Sequence, residues 1–296
     1  MKALVPPGFE RGGLTDDVEL LPWDAPGDDV EFAVPDWLIP DSRERLAELP
    51  RLRVVQLLSA GYDWVARFVP DGATLCNAGD TRSPAVAQWV VGAILAELIG
   101  FRRAEAQRAE RVWEHWRPRE PAGKRVVIVG YGSIGRAVER LLVPFGVRIG
   151  RVARRERPGV ESVERLGQAV QGADAVVVLA PLSDATRGLV GADVIGRMAD
   201  GALLVNAGRG PVIDTDALVA AVRAGRIRAA LDVTDPEPLP PDHELWTLDG
   251  VFITPHNAGD TPEAEAAAQA LARAQMLRYR AGLPLEHVVR PDAAGA

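Results

Sequence analysis

Three segments of the sequence end an apolar run on a side chain able to bind an anion or move a proton. "LLVNAGRGPVID" carries Arg209, "LDVTDPEPLP" carries Glu237, and "VFITPHNAG" carries His256. In an open parallel α/β sheet the carboxyl ends of the strands line the ligand crevice. A guanidinium, a carboxylate and an imidazole that follow three strands are therefore expected to converge there. Singly, each has an ordinary structural use, Arg209 in an ion pair and His256 as a cap after a strand. Their joint occurrence in three such contexts points to chemistry. The other histidines, His115, His243 and His287, lie in polar, loop-like stretches, and His243 and His287 read as surface residues.

A second pattern says what the crevice holds. "VVIVGYGSIGRAV" contains Gly130, Gly132 and Gly135 in G-x-G-x-x-G spacing, between an apolar strand pattern and a helix pattern. In a dinucleotide-binding turn the first glycine makes the tight bend, the second lets backbone approach the pyrophosphate, and the third lets helix pack on strand. The N–H groups and positive dipole end of the helix then face the anion. In NAD-binding versions an acid about 20 residues further on, at the end of the second strand, binds the ribose 2′-OH. Here the second strand pattern, "VRIGRVA", ends at Ala153 with no carboxylate and runs into Arg154, Arg155 and Arg157. A guanidinium fork matches phosphate oxygens, so the segment predicts NADP in preference to NAD. Glu156 is the nearby group that could replace the missing acid and favour NAD.

These residues need a scaffold, and the apolar runs supply one. "KALVP", "VEFAVP", "RVVQLLSAG" and "ATLCNAG" form a first series, with a helical pattern, "DSRERLAEL", among them. "RVVIVG", "VRIGRVA", "DAVVVLAP", "ALLVNAG", "IRAALDV" and "VFITPH" form a second series of six strands with helical segments between most of them. Strands alternating with helices imply parallel βαβ units and doubly wound sheets. From Ser83 to about Glu110 the pattern predicts one long helix, apolar in its first half and charged in its second. Another helix, "PEAEAAAQALARAQMLRYRAG", follows the last strand. The predicted division is a discontinuous first domain, residues 1–95 plus 262–296, and a dinucleotide-binding domain, residues 96–261.

The bulk properties agree with a two-domain globular enzyme. The chain has 296 residues, 47% hydrophobic and 25% charged, and a formal net charge of −7. That balance argues against a general affinity for nucleic acid or anionic membranes. No apolar run approaches the roughly 18 residues of a membrane span. "MKALVPPGFE" shows no secretory leader pattern, so a cytoplasmic location is expected. With Cys76 as the only cysteine, no internal disulfide forms, and its apolar neighbours predict a buried packing role. No metal site is expected.

In this order "VVIVGYGSIG", "APLSDATRGLVG", "LLVNAGRGPVID", "LDVTDPEPLP" and "TPHNAG" resemble the D-isomer-specific 2-hydroxyacid dehydrogenase family, which includes glyoxylate/hydroxypyruvate reductases and phosphoglycerate dehydrogenases. The resemblance runs over nearly the whole chain and is strongest from Gly123 to Gly259. It implies two Rossmann-like, flavodoxin-like domains with the active site in the cleft between them. It implies that Arg209 holds the substrate carboxylate, that His256 is the general acid in reduction and the base in oxidation, and that Glu237 pairs with the imidazole. For the cofactor it implies Gly130, Tyr131, Gly132, Ser133, Ile134 and Gly135 in the turn, and Ala153, Arg154, Arg155 and Arg157 at the second strand's end. Ala180, Pro181, Thr186, Asn206, Ala207 and Gly259 complete the cleft, with Asp232 near the nicotinamide carboxamide. "LLSAGYDWV" resembles the family's carboxylate-binding loop, in which Ser59, Ala60 and Gly61 present backbone N–H groups and Tyr62 borders the pocket. Arg82 is a further pocket candidate.

The resemblance has departures. The family often has "AE" early in the long helix, where this chain has Ala87-Gln88. Trp113 and Trp116 of "VWEHW" match a loop through which a neighbouring subunit can close the active site, which together with the long helix predicts a homodimer. Formate dehydrogenases carry glutamine where Glu237 stands, so formate is disfavoured. The expected activity is NADP-preferring reduction of glyoxylate, hydroxypyruvate or a similar 2-keto acid, without an appended regulatory domain. The alternatives are an NAD-dependent D-2-hydroxyacid dehydrogenase of phosphoglycerate type, and a dinucleotide-sensing binding protein of the corepressor kind.

Overall fold

In the computed structural model, which describes residues 1–289, the apolar runs become two parallel sheets. The chain folds as two compact units: unit 1, Met1–Arg82 together with the chain from Thr261, and unit 2, Ser83–Asp260. In unit 1, β1 (Lys2–Leu4), β2 (Glu19–Leu21), β3 (Val30–Ala33), β4 (Val54–Gln56) and β5 (Thr74–Cys76) stand in the order β2-β1-β3-β4-β5. β2 has no counterpart among the predicted strands. It is a three-residue edge strand with no fully buried side chain, so no apolar run signals it. The predicted helix "DSRERLAEL" is a 3-10 segment, Glu44–Glu48, that buries only Leu46.

Unit 2 begins with α1 (Ser83–Ile99) and α2 (Phe101–Glu110), where the sequence pattern predicts a single helix. The two are bent by 58°. Gly100 between them takes a left-handed conformation, φ 86°, that a side chain disfavours. The Trp116 ring occupies the space a Cβ would fill there, and its indole N–H donates to the Ile99 carbonyl at 3.1 Å. Residues 83–95, predicted to belong to the first domain, go with the second. Val86, Val90, Val91 and Ile94 of α1 are buried in one cluster with Val126, Ile128, Ala137 and Val138.

The rest of unit 2 alternates as predicted. β6 (Arg125–Val129), α3 (Ser133–Leu142), β7 (Arg148–Ala153), β8 (Glu161–Ser162), α4 (Leu166–Ala169), β9 (Ala175–Val178) and α5 (Ala192–Arg197) come first. β10 (Ala202–Asn206), α6 (Thr215–Arg223), β11 (Ile227–Leu231) and β12 (Val251–Ile253) complete it. The order is β12-β11-β10-β9-β6-β7-β8, seven strands where the sequence predicts six, the addition being the two-residue edge strand β8. Period-2 alternation sends Val127 and Val129 to one face and Val126 and Ile128 to the other, each into its own core cluster. That is why these strands read as unbroken apolar runs.

The chain then returns to unit 1 as α7 (Pro262–Arg280). Thr261 caps it by accepting from the Ala264 N–H, and proline follows at the first turn. Ala264, Ala268, Ala272 and Met276 lie on one face, and the last three pack on Ala3, Phe32 and Val54 of the sheet. Beyond α7, Val288 bridges Cys76 in antiparallel fashion and covers the β5 edge. Among the described residues no single helix is long and apolar enough to cross a membrane. Burial pushes the Cys76 thiol from 9.0 up to about 11. At pH 8 the folded protein should therefore react with a thiol-specific disulfide reagent about a hundredfold more slowly than the chain unfolded in denaturant; equal rates would show that Cys76 is not buried.

Candidate active site

Register brings the predicted residues to one edge of unit 2. Val152, Val129, Val178, Asn206, Leu231 and Ile253 are successive partners across β7, β6, β9, β10, β11 and β12, so these strands end in line. The segments that leave this edge carry Arg154, Gly130–Gly135, Ala180–Thr186, Arg209, Asp232–Glu237 and His256.

The glycine turn has the expected construction. Gly130 adopts φ 97°, and a Cβ there would lie 2.4 Å from the Ala180 nitrogen. A Cβ on Gly135 would press on the Gly130 carbonyl and Ile128, at 3.1 and 3.2 Å. Gly132, by contrast, caps α3 with nothing within 4 Å of its Cβ position, which leaves the start of α3, Ser133 and Ile134, open to an anion. These residues fit a dinucleotide pyrophosphate. Tyr131 is braced: its hydroxyl donates to Glu139 at 2.5 Å, and the Arg151 and Arg157 guanidinium groups lie 5.7 and 5.8 Å from its ring centre. Arg151 also pairs with Glu139, and that hydrogen bond holds the Glu139 carboxyl below its usual range. Burial, followed by the bond to Glu139, raises the Tyr131 phenol.

At the end of β7, Ala153 is partly buried and Arg154 and Arg155 are exposed. Arg157, predicted to stand with them, instead donates to the Tyr131 carbonyl at 2.6 Å and so props the glycine turn. Glu156 lies 3.8 Å from Arg165 in an exposed ion pair. Across the sheet, Thr186 donates to the Pro181 carbonyl at 2.7 Å and closes the loop after β9.

Arg209 owes its place to close backbone packing. A Cβ on Gly208 would sit 2.9 Å from the Ala180 carbonyl oxygen, and one on Gly210 only 1.8 Å from that of Thr234. Asn206, buried at the end of β10, donates to the Arg209 carbonyl at 3.0 Å and accepts from the Gly208 N–H at 3.1 Å. Ala207 links the two, and Arg209 Nη1 donates to the Gly208 carbonyl at 2.9 Å.

His256 Nδ1 lies 2.6 Å from Glu237 Oε1, with the side chains 40% and 37% exposed. A carboxylate only accepts, so this bond keeps a proton on Nδ1 and leaves Nε2 as the other exchangeable nitrogen. His256 itself has φ 54°, a left-handed conformation that costs a non-glycine residue on the order of 1 kcal/mol. Asp232 holds it there. The Asp232 carbonyl accepts the His256 N–H at 2.8 Å, and its buried carboxylate accepts from Asn257 N–H at 2.9 Å, Ala258 N–H at 3.0 Å and the Thr254 hydroxyl at 2.5 Å. The resemblance places Asp232 beside the cofactor; in the structure its carboxylate is turned into the His256 loop. Gly259 ends this loop. Among the described residues no cluster of His, Cys, Asp or Glu is arranged to hold a metal.

In unit 1, Ser59, Ala60 and Gly61 follow β4, and the Ser59 hydroxyl donates to the Gly61 carbonyl at 2.8 Å. Tyr62 packs against the unit 1 core. Arg82 pairs with Glu265 at 2.6 Å and donates to the Leu58 carbonyl at 2.6 Å. Gln88 is exposed on α1.

Residues 91–258 match the family described as D-isomer specific 2-hydroxyacid dehydrogenase, NAD binding domain. The chain belongs to this family. It is 36% identical over 259 residues to an uncharacterized protein in the proB 3′ region of Corynebacterium melassecola, covering 81% of this chain and 83% of that one. It is 34% identical over 270 residues to glyoxylate/hydroxypyruvate reductase B of Citrobacter koseri, covering 84% and 82%. Among solved structures, an NADPH-dependent glyoxylate/hydroxypyruvate reductase from Sinorhizobium meliloti, in complex with NADP and sulfate, superposes with a TM-score of 0.85 at 27% identity, covering 100% of this chain and 99% of that one. This dehydrogenase is thus an NAD(P)-dependent oxidoreductase built on two parallel sheets.

Several residues that shape the dehydrogenase site are absent from the sequence reading. Glu139 and Arg151 brace Tyr131 from positions that signal only a helix and a strand. Gly208 and Gly210 flank Arg209, and the Gly-Arg-Gly spelling is the one signal that could have found them. For Asp232, replacement by alanine leaves the three donors on its carboxylate, from Thr254, Asn257 and Ala258, unpaired and loosens the loop that carries His256. Displacing the His256 loop should cost about a hundredfold in kcat/KM, and NADPH affinity by fluorescence titration should change less than about threefold. A parallel loss of NADPH affinity with kcat intact would instead make Asp232 a cofactor contact.

Proposed function

We propose that this dehydrogenase reduces small 2-keto acids of the glyoxylate and hydroxypyruvate type to D-2-hydroxy acids and prefers NADP. The observation that carries the reading is the His256–Glu237 pair, at 2.6 Å, on the strand edge that also carries Arg209 and the glycine turn. A dinucleotide held by its pyrophosphate at that turn would supply the hydride from its reduced nicotinamide. Arg209 offers charge-assisted bonds to the substrate carboxylate, and within unit 1 the amides of Ser59–Gly61 are donors suited to the same kind of group. His256 gives the Nε2 proton to the carbonyl oxygen, and Glu237 keeps the ring oriented through Nδ1. The protein recovers that proton from solvent at the exposed ring. In the oxidative direction the same nitrogen takes the proton.

NADP preference is supported by the end of β7. No carboxylate stands at Ala153, Glu156 lies 3.8 Å from Arg165, and Arg154 and Arg155 put guanidinium groups, whose fork matches a 2′-phosphate, on the surface there. The relatives named as glyoxylate/hydroxypyruvate reductases support the substrate class. Initial rates with glyoxylate, hydroxypyruvate, pyruvate, phenylpyruvate and 2-ketoisocaproate, each with NADPH and NADH, test both points. His256→Ala should lower kcat by a factor of about 10²–10⁴ and spare NADPH binding. Arg154→Ser should erode the NADPH preference about tenfold. Turnover that favours NADH in the unaltered protein would overturn the cofactor reading.

We also infer a homodimer. Ile99 and Phe101 beside the α1–α2 bend, and Val112 and Trp113 after α2, are exposed large apolar residues, Trp113 completely so. Large apolar side chains left exposed close together in the sequence are candidates for a protein interface. Trp116 is tied to its own chain through Ile99, so Trp113 is the tryptophan a second copy would meet. Sedimentation should give about twice the chain's 31.7 kDa, and Trp113→Arg should shift it toward the monomer; a monomeric unaltered protein would refute the inference.

A further inference from the structure

We propose that Asn77 and Arg82, braced by a buried Gln56–Gln275 pair, are positioning residues that aim the backbone N–H groups of Ser59, Ala60 and Gly61 at the substrate carboxylate. The inference rests on the reading of this loop as the carboxylate-binding loop. Its own foundation is the fate of three consecutive carbonyls. Arg82 Nε donates to the Leu58 carbonyl at 2.6 Å, the Ala78 N–H donates to that of Ser59 at 2.9 Å, and Asn77 Nδ2 donates to that of Ala60 at 2.8 Å. A trans peptide is planar, with C=O and N–H pointing opposite ways. Fixing these three carbonyls therefore fixes the directions of the Ser59, Ala60 and Gly61 N–H groups. Among the described residues none of the three has an acceptor. Adjacent unpaired amides in a half-buried loop form an anion-binding concavity.

The brace lies behind this loop. Gln56, the last residue of β4, and Gln275 of α7 have no solvent exposure. A buried carboxamide left unpaired costs about 1–3 kcal/mol, and here every donor and acceptor is engaged. Gln56 Nε2 donates to the Leu57 and Asn77 carbonyls at 2.8 and 3.0 Å, and its Oε1 accepts from Gln275 Nε2 at 3.3 Å. Gln275 in turn donates to the Glu286 carbonyl at 2.6 Å and accepts the Glu286 N–H at 3.0 Å. The Asn77 N–H donates to the His287 carbonyl at 3.1 Å. The turn that carries Asn77 is thus held from its strand, from α7 and from the segment after α7. A pair serving the core alone would be replaceable by leucines at little functional loss. A pair that holds Asn77 would not.

The test compares KM for the best-reduced keto acid, kcat, the NADPH dissociation constant and the melting temperature. Asn77→Ala should raise KM about tenfold, the effect expected when a bound anion loses an aligned donor, with kcat and the NADPH constant within about twofold. Gln56→Leu with Gln275→Leu removes both carboxamides but leaves the Leu57, Asn77 and Glu286 backbone groups without these partners, so the melting temperature should fall. In the protein that remains folded, KM should rise at least about threefold with kcat and the NADPH constant within about twofold. Ala60→Asp puts a carboxylate in the loop and tests the underlying reading. If Ala60→Asp raises KM and the other variants leave it unchanged, the loop binds the carboxylate but Asn77 and the glutamines do not position it. If Ala60→Asp also leaves KM unchanged, the loop reading itself fails. A common fall in kcat, NADPH affinity and melting temperature in Asn77→Ala would assign a structural role and overturn the proposal.

Discussion

A parallel sheet delivers every strand's continuation to the same edge, and the chemistry of this dehydrogenase depends on that constraint. Six strands of unit 2 end in register, from Val152 on β7 to Ile253 on β12. The phosphate turn, the arginine and the histidine arise from segments far apart in sequence, yet none needs a long loop to reach the others. The cost falls on the helices and core, which must cover both faces of strands that are apolar throughout. The two core clusters meet it with alternating residues of the same strands.

Alignment of strand ends fixes positions only to within a loop's freedom, and the site shows how that freedom is removed. Arg209 is held by glycines on both sides, because the Ala180 and Thr234 backbones leave no room for a Cβ at Gly208 or Gly210. His256 is held in a left-handed conformation by four donors gathered on Asp232. In each case the backbone on either side, through glycines that admit no Cβ or donors gathered on one carboxylate, fixes where the polar side chain stands. The catalytic geometry is therefore a property of the supporting turns more than of the acting side chains.

This division explains what is legible in the sequence. Apolar runs, the glycine spacing, and polar residues placed just after strands are local signals, and they identify both sheets and the residues on the edge. Short edge strands such as β2 and β8 carry no such signal, since three or two half-exposed residues make no run. The bend at Gly100 is hidden because apolar residues continue up to Ile99 and helix-forming ones resume after Phe101. It is Trp116, from a later loop, that makes the bend stable. Arg157 reads as a phosphate ligand from charge alone, and its bond to the Tyr131 carbonyl depends on a fold that brings a strand end back to the glycine turn. Gln56 and Gln275 are separated by 219 residues, and only the packing of α7 on β4 gives either one a meaning.

On the proposal that Ser59–Gly61 takes the substrate carboxylate, two segments of the protein offer backbone N–H groups to an anion, and they solve the same problem differently. At Gly130–Gly135 the donors are oriented by the helix that follows, whose first-turn amides are unpaired by construction and whose dipole adds positive potential. A β-strand followed by an irregular loop has no such built-in orientation. At Ser59–Gly61 the carbonyls must be fixed one by one by side chains and neighbouring backbone, and those groups must be fixed in turn. On that proposal the buried glutamine pair has a reason: in the absence of a helix, the order would come from a hydrogen-bonded chain long enough to reach regular structure, and α7 is where it ends.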